Sequence, residues 1–313
     1  MADKIATREA YGNALAELGD TYDFVVLDAD LAAATKTGTF KKKFPERFFD
    51  CGIAEGNMMA VAAGLAAAGK IPFVSSFAMF AAGRAYEQAR NAVGYPHLNV
   101  KIGATHAGIT VGEDGATHQC NEDIALMRTI PGMTIINPAD AVEARAAVEA
   151  AILHNGPVYM RFGRYAVPVI NDAATYEFKL GRGVQLADGK DVTFVATGIM
   201  VDMAMTAARE LAAEGISARV INIHTIKPLD TEIVLAAARE TGAIVVAEEH
   251  SVIGGLGAAV AETVCEGCPV PVMRVGVQDQ YGRSGTVPAL LEMYGLTPAN
   301  LVAKAKEAIA LKK

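Results

Sequence analysis

Residues Cys51–Phe80, CGIAEGNMMAVAAGLAAAGKIPFVSSFAMF, indicate the fold class most directly. Glu55 is followed by a run of Ala, Gly and Met residues, 57–68, that carries no charged side chain. A helix that is apolar on all sides is normally buried, so we expect it in the interior with Glu55 at its start. A short apolar strand, Ile71–Ser75, and a second helix from Phe77 follow. Helix, buried strand and helix in this order are typical of an α/β protein.

Glu55 and two phenylalanines form a candidate binding site. A carboxylate in a poorly hydrated place needs a strong partner or remains protonated. Phe77 and Phe80 lie three residues apart, directly after the strand. A buried acid facing two rings suits a flat heteroaromatic base, held at its edge and stacked on its face. The alternative is a carboxylate favoured by the dipole at a helix N-terminus, beside ordinary core phenylalanines.

The composition excludes several classes of protein. A chain of 313 residues is long enough for about two domains, and 52% hydrophobic residues indicate a large core. The net charge of −7 argues against nucleic acid and anionic membranes as partners. Neither a signal-peptide pattern nor an uncharged apolar run of about 18 residues occurs, so we predict a cytoplasmic protein.

The four cysteines do not predict a disulfide framework in a chain of this length. Cys265 and Cys268 have the spacing of a metal or redox pair, but no second pair accompanies them. We therefore predict no metal site within this chain.

Apolar strands alternate with helices twice along the chain. The first series occupies residues 1–168, and a second, shorter series occupies 190–313. Residues 169–189 between them are rich in Gly, Asn and Asp, which is typical of a linker. The alternation predicts two α/β domains, the first with a parallel sheet covered by helices on both faces and the second smaller.

The loop 105–119, THAGITVGEDGATHQ, carries most of the polar chemistry. His106 and His118 bracket Glu113 and Asp114 after a predicted strand, and loops at strand carboxyl ends are where open α/β sheets bind ligands. Imidazole and carboxylate together donate and accept hydrogen bonds, which suits a substrate rich in hydroxyl groups. A metal site is the alternative.

Two arginines are candidates for binding an anion. Arg161 lies near the end of a predicted strand, and Arg8 lies near the start of the first helix. Arginine at a strand end suits a bidentate contact with phosphate, carboxylate or sulfonate. A surface ion pair is the alternative for each.

Several motifs taken together resemble the transketolase family. They are IAEGNM, SSFAMF, THAGITVGEDGATHQ, RTIPGM with INPAD, YMRFGR, HTIKPLD and DQYGRSG. The resemblance covers essentially the whole chain and matches the family's pyrimidine-binding domain, here 1–168, and its C-terminal domain, here 190–313. The family's first domain, with the GDG…N motif that binds magnesium and the cofactor diphosphate, is missing. The chain thus resembles the C-terminal subunit of a split transketolase.

The resemblance implies thiamine diphosphate as the cofactor. Glu55 matches the glutamate that hydrogen-bonds the aminopyrimidine ring, and Phe77 and Phe80 match the aromatic residues that stack on it. Asp30 matches an acidic position near the cofactor. The ligands of Mg²⁺ are expected on a separate N-terminal subunit, and a second copy of this chain is expected to complete a complex with two copies of each subunit.

The resemblance also implies transfer of a two-carbon ketol unit from a ketose to an aldose, as in the pentose phosphate pathway. His106, Asp114 and His118 match residues that contact sugar hydroxyls and reacting oxygens, and the two histidines join Glu55 as the catalytic set. Arg8 and Arg161 match arginines that hold the sugar phosphate. Ala34 departs from the family, because many relatives place a phosphate-binding serine there, which allows a different anionic or deoxy sugar.

Three other interpretations remain open at this stage. A β subunit of a 2-oxo acid dehydrogenase has a similar length and domain order. A deoxyxylulose phosphate synthase usually keeps all three domains in one chain. A non-catalytic or regulatory partner subunit would keep the fold without activity, although Glu55, Asp114 and the two histidines argue against it.

Overall fold

The computed structural model describes residues 3–312 and contains two large sheets. The strands in chain order are β1 Lys4–Ala6, β2 Val25–Asp28, β3 Phe48–Asp50, β4 Pro72–Phe77, β5 Lys101–Thr105, β6 Thr134–Ile136, β7 Val158–Arg161, β8 Ala166–Pro168, β9 Val184–Ala187, β10 Val192–Ala196, β11 Ala218–Asn222, β12 Thr225–Lys227, β13 Ile244–Ser251 and β14 Val272–Val277.

The helices cover the faces of these sheets. In chain order they are α1 Thr7–Leu18, α2 Ala32–Thr35, α3 Gly38–Lys43, α4 Glu55–Ala67, α5 Tyr86–Gln88, α6 Asp123–Arg128, α7 Ala141–Leu153, α8 Met200–Ala213, α9 Thr231–Thr241, α10 Leu256–Gly267, α11 Val287–Met293 and α12 Pro298–Ala310. Within residues 3–312, none is long and apolar enough to cross a membrane.

The first sheet has seven strands in the order β12-β6-β7-β5-β4-β2-β3. Six of them run parallel. All of their residues are buried except Phe49 and Asp50 of the edge strand β3, as expected for strands covered on both faces. The seventh, β12, pairs antiparallel with β6 although it comes from the second half of the chain. The predicted α/β class with a parallel-sheet first domain is confirmed.

The second sheet has the order β14-β13-β10-β11-β9. Its outer strand β9 pairs antiparallel with β11 and comes from the segment predicted as linker, 169–189. The predicted linker therefore includes a strand of the second sheet, because four partly exposed residues are too few to show a strand signal among Gly and Asp residues. The exact domain bounds stay predictions.

Two local features differ from the predictions around Glu55. The apolar helix α4 buries only one face, formed by Met58, Met59, Ala62 and Ala63, and its opposite face is exposed in the single chain. The helix predicted from Phe77 is instead two π-helical turns, Met79–Arg84 and Ala89–Gly94, on either side of α5. Phe77 is the last residue of β4.

Candidate functional site

The carboxyl edge of the first sheet brings the predicted site residues together. Strands β2, β4, β5 and β7 run parallel, so Asp28, Phe77, Thr105 and Arg161 end on the same side. The loops that follow these strands carry the other candidates. This is the edge at which ligands bind to open α/β sheets.

Glu55 is the first residue of α4, and only 2% of it is exposed. Both of its carboxylate oxygens accept hydrogen bonds from Arg84 Nη1, at 3.1 and 2.9 Å. The Arg84 side chain is itself 52% exposed. The buried acid therefore has the strong partner that its burial demands. Arg84 was not among the predicted site residues, and the π-helical turn that ends at it is a feature typical of functional sites.

The two predicted aromatic residues lie nearly parallel, with ring centroids 5.9 Å apart and an angle of 14° between planes. The Arg84 guanidinium carbon lies 4.5 Å from the centre of the Phe80 ring. Arg84 thus contacts both the acid and a ring face, the two surfaces expected to hold a flat base. Phe77 stacks on the His106 ring at 3.8 Å.

His106 is buried and neutral. Its Nε2 lies 2.8 Å from Arg8 Nη1, which only donates, so Nε2 accepts and the ring proton lies on Nδ1. Nδ1 lies 2.9 Å from the Thr105 hydroxyl and donates to it. Burial, reinforced by the charges of Arg8 and Arg164, lowers the His106 pKa to about 3. In this arrangement His106 orients groups rather than accepting a proton at Nε2.

Arg8 and Arg164 form a cationic cluster beside His106. Arg8 Nη1 also donates to the Ala34 carbonyl at 3.0 Å, and burial and the nearby Arg164 charge lower the Arg8 pKa. Arg164 donates to the Val111 carbonyl, and it forms an ion pair with Glu113 at 3.4 Å. Arg164 follows β7 in the loop that reaches the site, and it was missed by the sequence analysis.

Arg161 does not form the predicted anion clamp. Only 3% of it is exposed, and its Nε donates to Asp123 Oδ2 at 2.9 Å. Its Nη2 donates to the Glu249 carbonyl at 2.8 Å. The guanidinium group is therefore already hydrogen-bonded to other protein groups. Arg161 is the last residue of β7, and its side chain lies in the core between Asp123 of the first domain and Glu249 of the second.

The remaining predicted residues lie at different depths. His118 is half-buried, with its ring edge-on to Phe80 at 5.4 Å. Asp30 is exposed, and its backbone N–H donates to Asp50 Oδ1 at 3.1 Å. Asp114 is exposed in the turn before His118. The structure thus groups the two histidines with the two rings and leaves the two acids open to solvent.

Comparison with known proteins identifies the family. Residues 3–169 match the model described as transketolase, pyrimidine binding domain, and residues 181–301 match transketolase, C-terminal domain. The chain belongs to the transketolase family.

Three relatives of similar length illustrate the membership. The 6-deoxy-6-sulfo-D-fructose transketolase subunit of Clostridium sp. strain MSTE9 is 48% identical over 301 residues, covering 96% of this chain and 93% of the relative. An apulose-4-phosphate transketolase subunit of Phocaeicola vulgatus is 40% identical over 304 residues, covering 97% of each. A structure described as a split gene transketolase, inactive beta4 tetramer, has a TM-score of 0.91 and 55% identity, covering 99% of this chain and 100% of that chain.

The transketolase family implies thiamine diphosphate, and the residues present fit one half of that cofactor. Glu55 and Phe80 offer a buried acid and a ring face to an aminopyrimidine. The described residues do not form a binding site for the diphosphate and its cation. In the part of the chain that the structure describes, no group of three or more His, Cys, Asp or Glu side chains is arranged to hold a metal ion. Cys265 and Cys268 are free thiols, exposed and half-buried respectively.

The C-terminal domain holds the histidine loop of this chain in place. Glu249 Oε1 accepts a hydrogen bond from the Thr110 N–H at 2.7 Å. Gln119 Nε2 donates to the carbonyls of Ile109 at 3.0 Å and Arg283 at 2.9 Å. Gln119 and Glu249 were not among the predicted site residues, because the partner of a buried polar side chain is known only when distant segments of the chain meet.

A cleft of about 610 Å³ opens next to these residues, between the two domains. Phe80 and Arg84 line it from the first domain, and Gln280 and Tyr281 line it from the second. The candidate site is therefore open on the side where Arg84 covers Glu55.

Proposed function

We propose that this chain is the C-terminal subunit of a thiamine-diphosphate-dependent transketolase. With a separate N-terminal subunit, it would transfer a two-carbon ketol unit from a ketose to an aldose acceptor. One observation carries the proposal: Arg84 contacts both the Glu55 carboxylate, buried at the start of α4, and the face of the Phe80 ring. An acid and a ring presented together are what an aminopyrimidine needs.

The cofactor, when bound, supplies the carbon nucleophile that cleaves and forms the sugar C–C bond. Glu55 would hold a proton at the ring edge of the aminopyrimidine, while Phe77 and Phe80 position the ring. The half-exposed Arg84 side chain must leave Glu55 before the aminopyrimidine can take its place. Neutral His106 would hold the Arg8 guanidinium in place beside the sugar, and His118 and Asp114 would contact hydroxyl groups.

The substrate we propose is an anionic ketose. Arg8 and Arg164 lie beside His106 and present two fixed guanidinium groups, which suit phosphate or sulfonate. The names of two relatives support this class, since one is a sulfofructose transketolase subunit and the other an apulose-4-phosphate transketolase subunit. Arg164 replaces Arg161 in this role.

The partners we propose are an N-terminal subunit that supplies the diphosphate and Mg²⁺ site, and a second copy of this chain. The relatives are themselves described as subunits, one from a split gene. Val61 on the exposed face of α4, and Ile53 and Phe49 in the segment before that helix, are exposed apolar side chains that would suit such a contact. Neither the dehydrogenase nor the regulatory alternative gains support from the geometry.

The test is the substitution Glu55→Gln in the complex with the N-terminal subunit. We expect the rate of ketol transfer to fall at least about a hundred-fold, as when a positioned proton-transfer group is removed. Glu46→Gln, at an exposed glutamate, is the matched control. Assembly of both variants is checked by size-exclusion chromatography. A Glu55→Gln complex that is fully active would show that the chain is a scaffold rather than a catalytic subunit.

A further inference from the structure

We propose that Lys36 determines substrate specificity by favouring a doubly charged terminal group over a singly charged one. The inference rests on the proposed function, since it concerns the ketose that binds beside Arg8 and Arg164. It is carried by the way the loop 31–37 is built and by the charges that it brings to His106.

Buried hydrogen bonds fix the backbone on either side of Lys36. The Asp28 carboxylate, which is fully buried, accepts from the Thr35 hydroxyl at 2.7 Å and from the Thr37 hydroxyl at 2.8 Å. It also accepts from the Leu31 N–H at 2.6 Å. One carboxylate therefore ties together the start and the end of the loop.

Lys36 itself has the left-handed backbone conformation, with φ of 71°, which is unfavourable for a side chain of this type. Its carbonyl packs directly against Gly12 of α1, where any side chain would overlap it. The loop thus holds Lys36 in an unfavourable conformation against the helix that carries Arg8. Strained residues that the surrounding structure fixes in this way are concentrated at functional sites.

The Lys36 side chain adds a third positive charge to the cluster. Its loop lies against Arg8, whose Nη1 donates to the carbonyl of Ala34, two residues before Lys36, at 3.0 Å. The Lys36 ammonium lies 3.4 Å from Glu9, and 34% of its side chain is exposed. It is therefore free to exchange this exposed counterion for a substrate anion.

The net charge of the terminal group decides how much Lys36 contributes. A phosphate monoester carries about two negative charges at neutral pH, whereas a sulfonate carries one. The Coulomb energy scales with the product of the charges, so each added cation favours the phosphate more. Glu9 competes for the same ammonium and should have the opposite effect.

The experiment uses the complex of this chain with its N-terminal subunit and three ketose donors: fructose with a terminal phosphate, fructose with a terminal sulfonate, and free fructose. For Lys36→Gln we expect KM to rise roughly five-fold for the phosphate and about two-fold for the sulfonate, as for an exposed ion pair. KM for free fructose and kcat for all three should be unchanged. Glu9→Gln should lower KM for the phosphate, and Lys42→Gln, at an exposed lysine of α3, should change nothing.

Calorimetry separates this inference from the proposed function. Binding of the phosphate and sulfonate donors to wild-type and Lys36→Gln protein needs no turnover. If the wild-type complex transfers no ketol unit but Lys36→Gln still weakens phosphate binding selectively, the transketolase proposal fails and the role of Lys36 stands. Equal shifts for all donors, or no shift for the phosphate, would overturn the role of Lys36.

Discussion

Replacing Arg161 with Met should destabilise the protein strongly while leaving substrate binding intact. The Asp123 carboxylate is fully buried, and its Oδ2 accepts from Arg161 Nε at 2.9 Å and from the Tyr159 hydroxyl at 2.8 Å. Among the described residues, its Oδ1 has no hydrogen-bond partner. Without Arg161, one tyrosine hydroxyl would remain to compensate a buried charge.

The expected loss follows from this arrangement. Removing one partner of a buried ion pair costs about 3–5 kcal/mol, mostly because the other charge stays buried and unpaired. Met retains the apolar stem of Arg161, so the cavity contributes little. The free energy of unfolding is measured by urea titration followed by circular dichroism.

The chain offers a control variant and a second substitution that should restore part of the lost stability. Arg145 pairs with Glu17 and Glu149 at the surface, with 39% of its side chain exposed, so Arg145→Met should cost at most about 1 kcal/mol. Adding Asp123→Asn to Arg161→Met should recover part of the loss, because the unpaired charge is removed. If Arg161→Met costs no more than the Arg145 control, the reasoning about the buried pair is wrong.

The same variants separate the two arginines as anion-binding residues. Arg161→Met should leave KM for a phosphorylated ketose unchanged in the complex with the N-terminal subunit. Arg164→Met should raise it roughly ten-fold or more, the equivalent of one charged hydrogen bond of about 1.5–3 kcal/mol. An increase for Arg161→Met alone would restore Arg161 as the clamp.

Two further predictions concern buried titratable groups. The folded His106 pKa of about 3 lies below the ordinary 6.5, so the unfolded chain takes up a proton on acidification before the folded protein does. The stabilisation associated with neutral His106 should be complete above pH 6.5 and fall by about 1.4 kcal/mol per pH unit between about pH 6 and pH 4. It is measured as the unfolding free-energy difference between wild type and His106→Gln across pH, and a difference independent of pH would contradict it. Asp28→Asn should cost about 1.5–3 kcal/mol of stability, because Asp28 would lose its charged hydrogen bonds to both loop threonines. The control, Asp23→Asn at an exposed aspartate, should cost at most about 0.5 kcal/mol. Asp28→Asn should also raise KM for phosphorylated ketoses, and equal stability losses in the two variants would refute this account.

The fold class could be predicted from sequence because the pattern repeats. Apolar strands of a parallel sheet are buried on both faces, so each appears as a short apolar run between helices. Helix α1, Thr7–Leu18, is the first helix and carries Arg8 near its start, as predicted. Strand β9 and the antiparallel β12 escaped prediction, since each is short and depends on pairing with a distant strand.

The candidate site could be located from sequence but not resolved into contacts. The carboxyl edge of the sheet was the expected place, because parallel strands end together. In Met160–Arg164, however, two arginines lie three residues apart, and their roles depend on where β7 ends. The strand ends at Arg161, so that side chain is buried in the sheet and Arg164 reaches the loop. A strand boundary uncertain by two residues is enough to exchange them.

The second domain explains why local sequence could not reveal the whole site. Two contacts cross between the halves of the chain at the histidine loop, Glu249 with Thr110 and Arg283 with Gln119. A third joins β7 to the second domain, from Arg161 to the Glu249 carbonyl. Because β12 also completes the first sheet, neither half has all its polar groups paired without the other. The loop that follows His106 and carries His118 is therefore held from both domains, and the C-terminal domain acts as a positioning element of the site rather than as a separate unit.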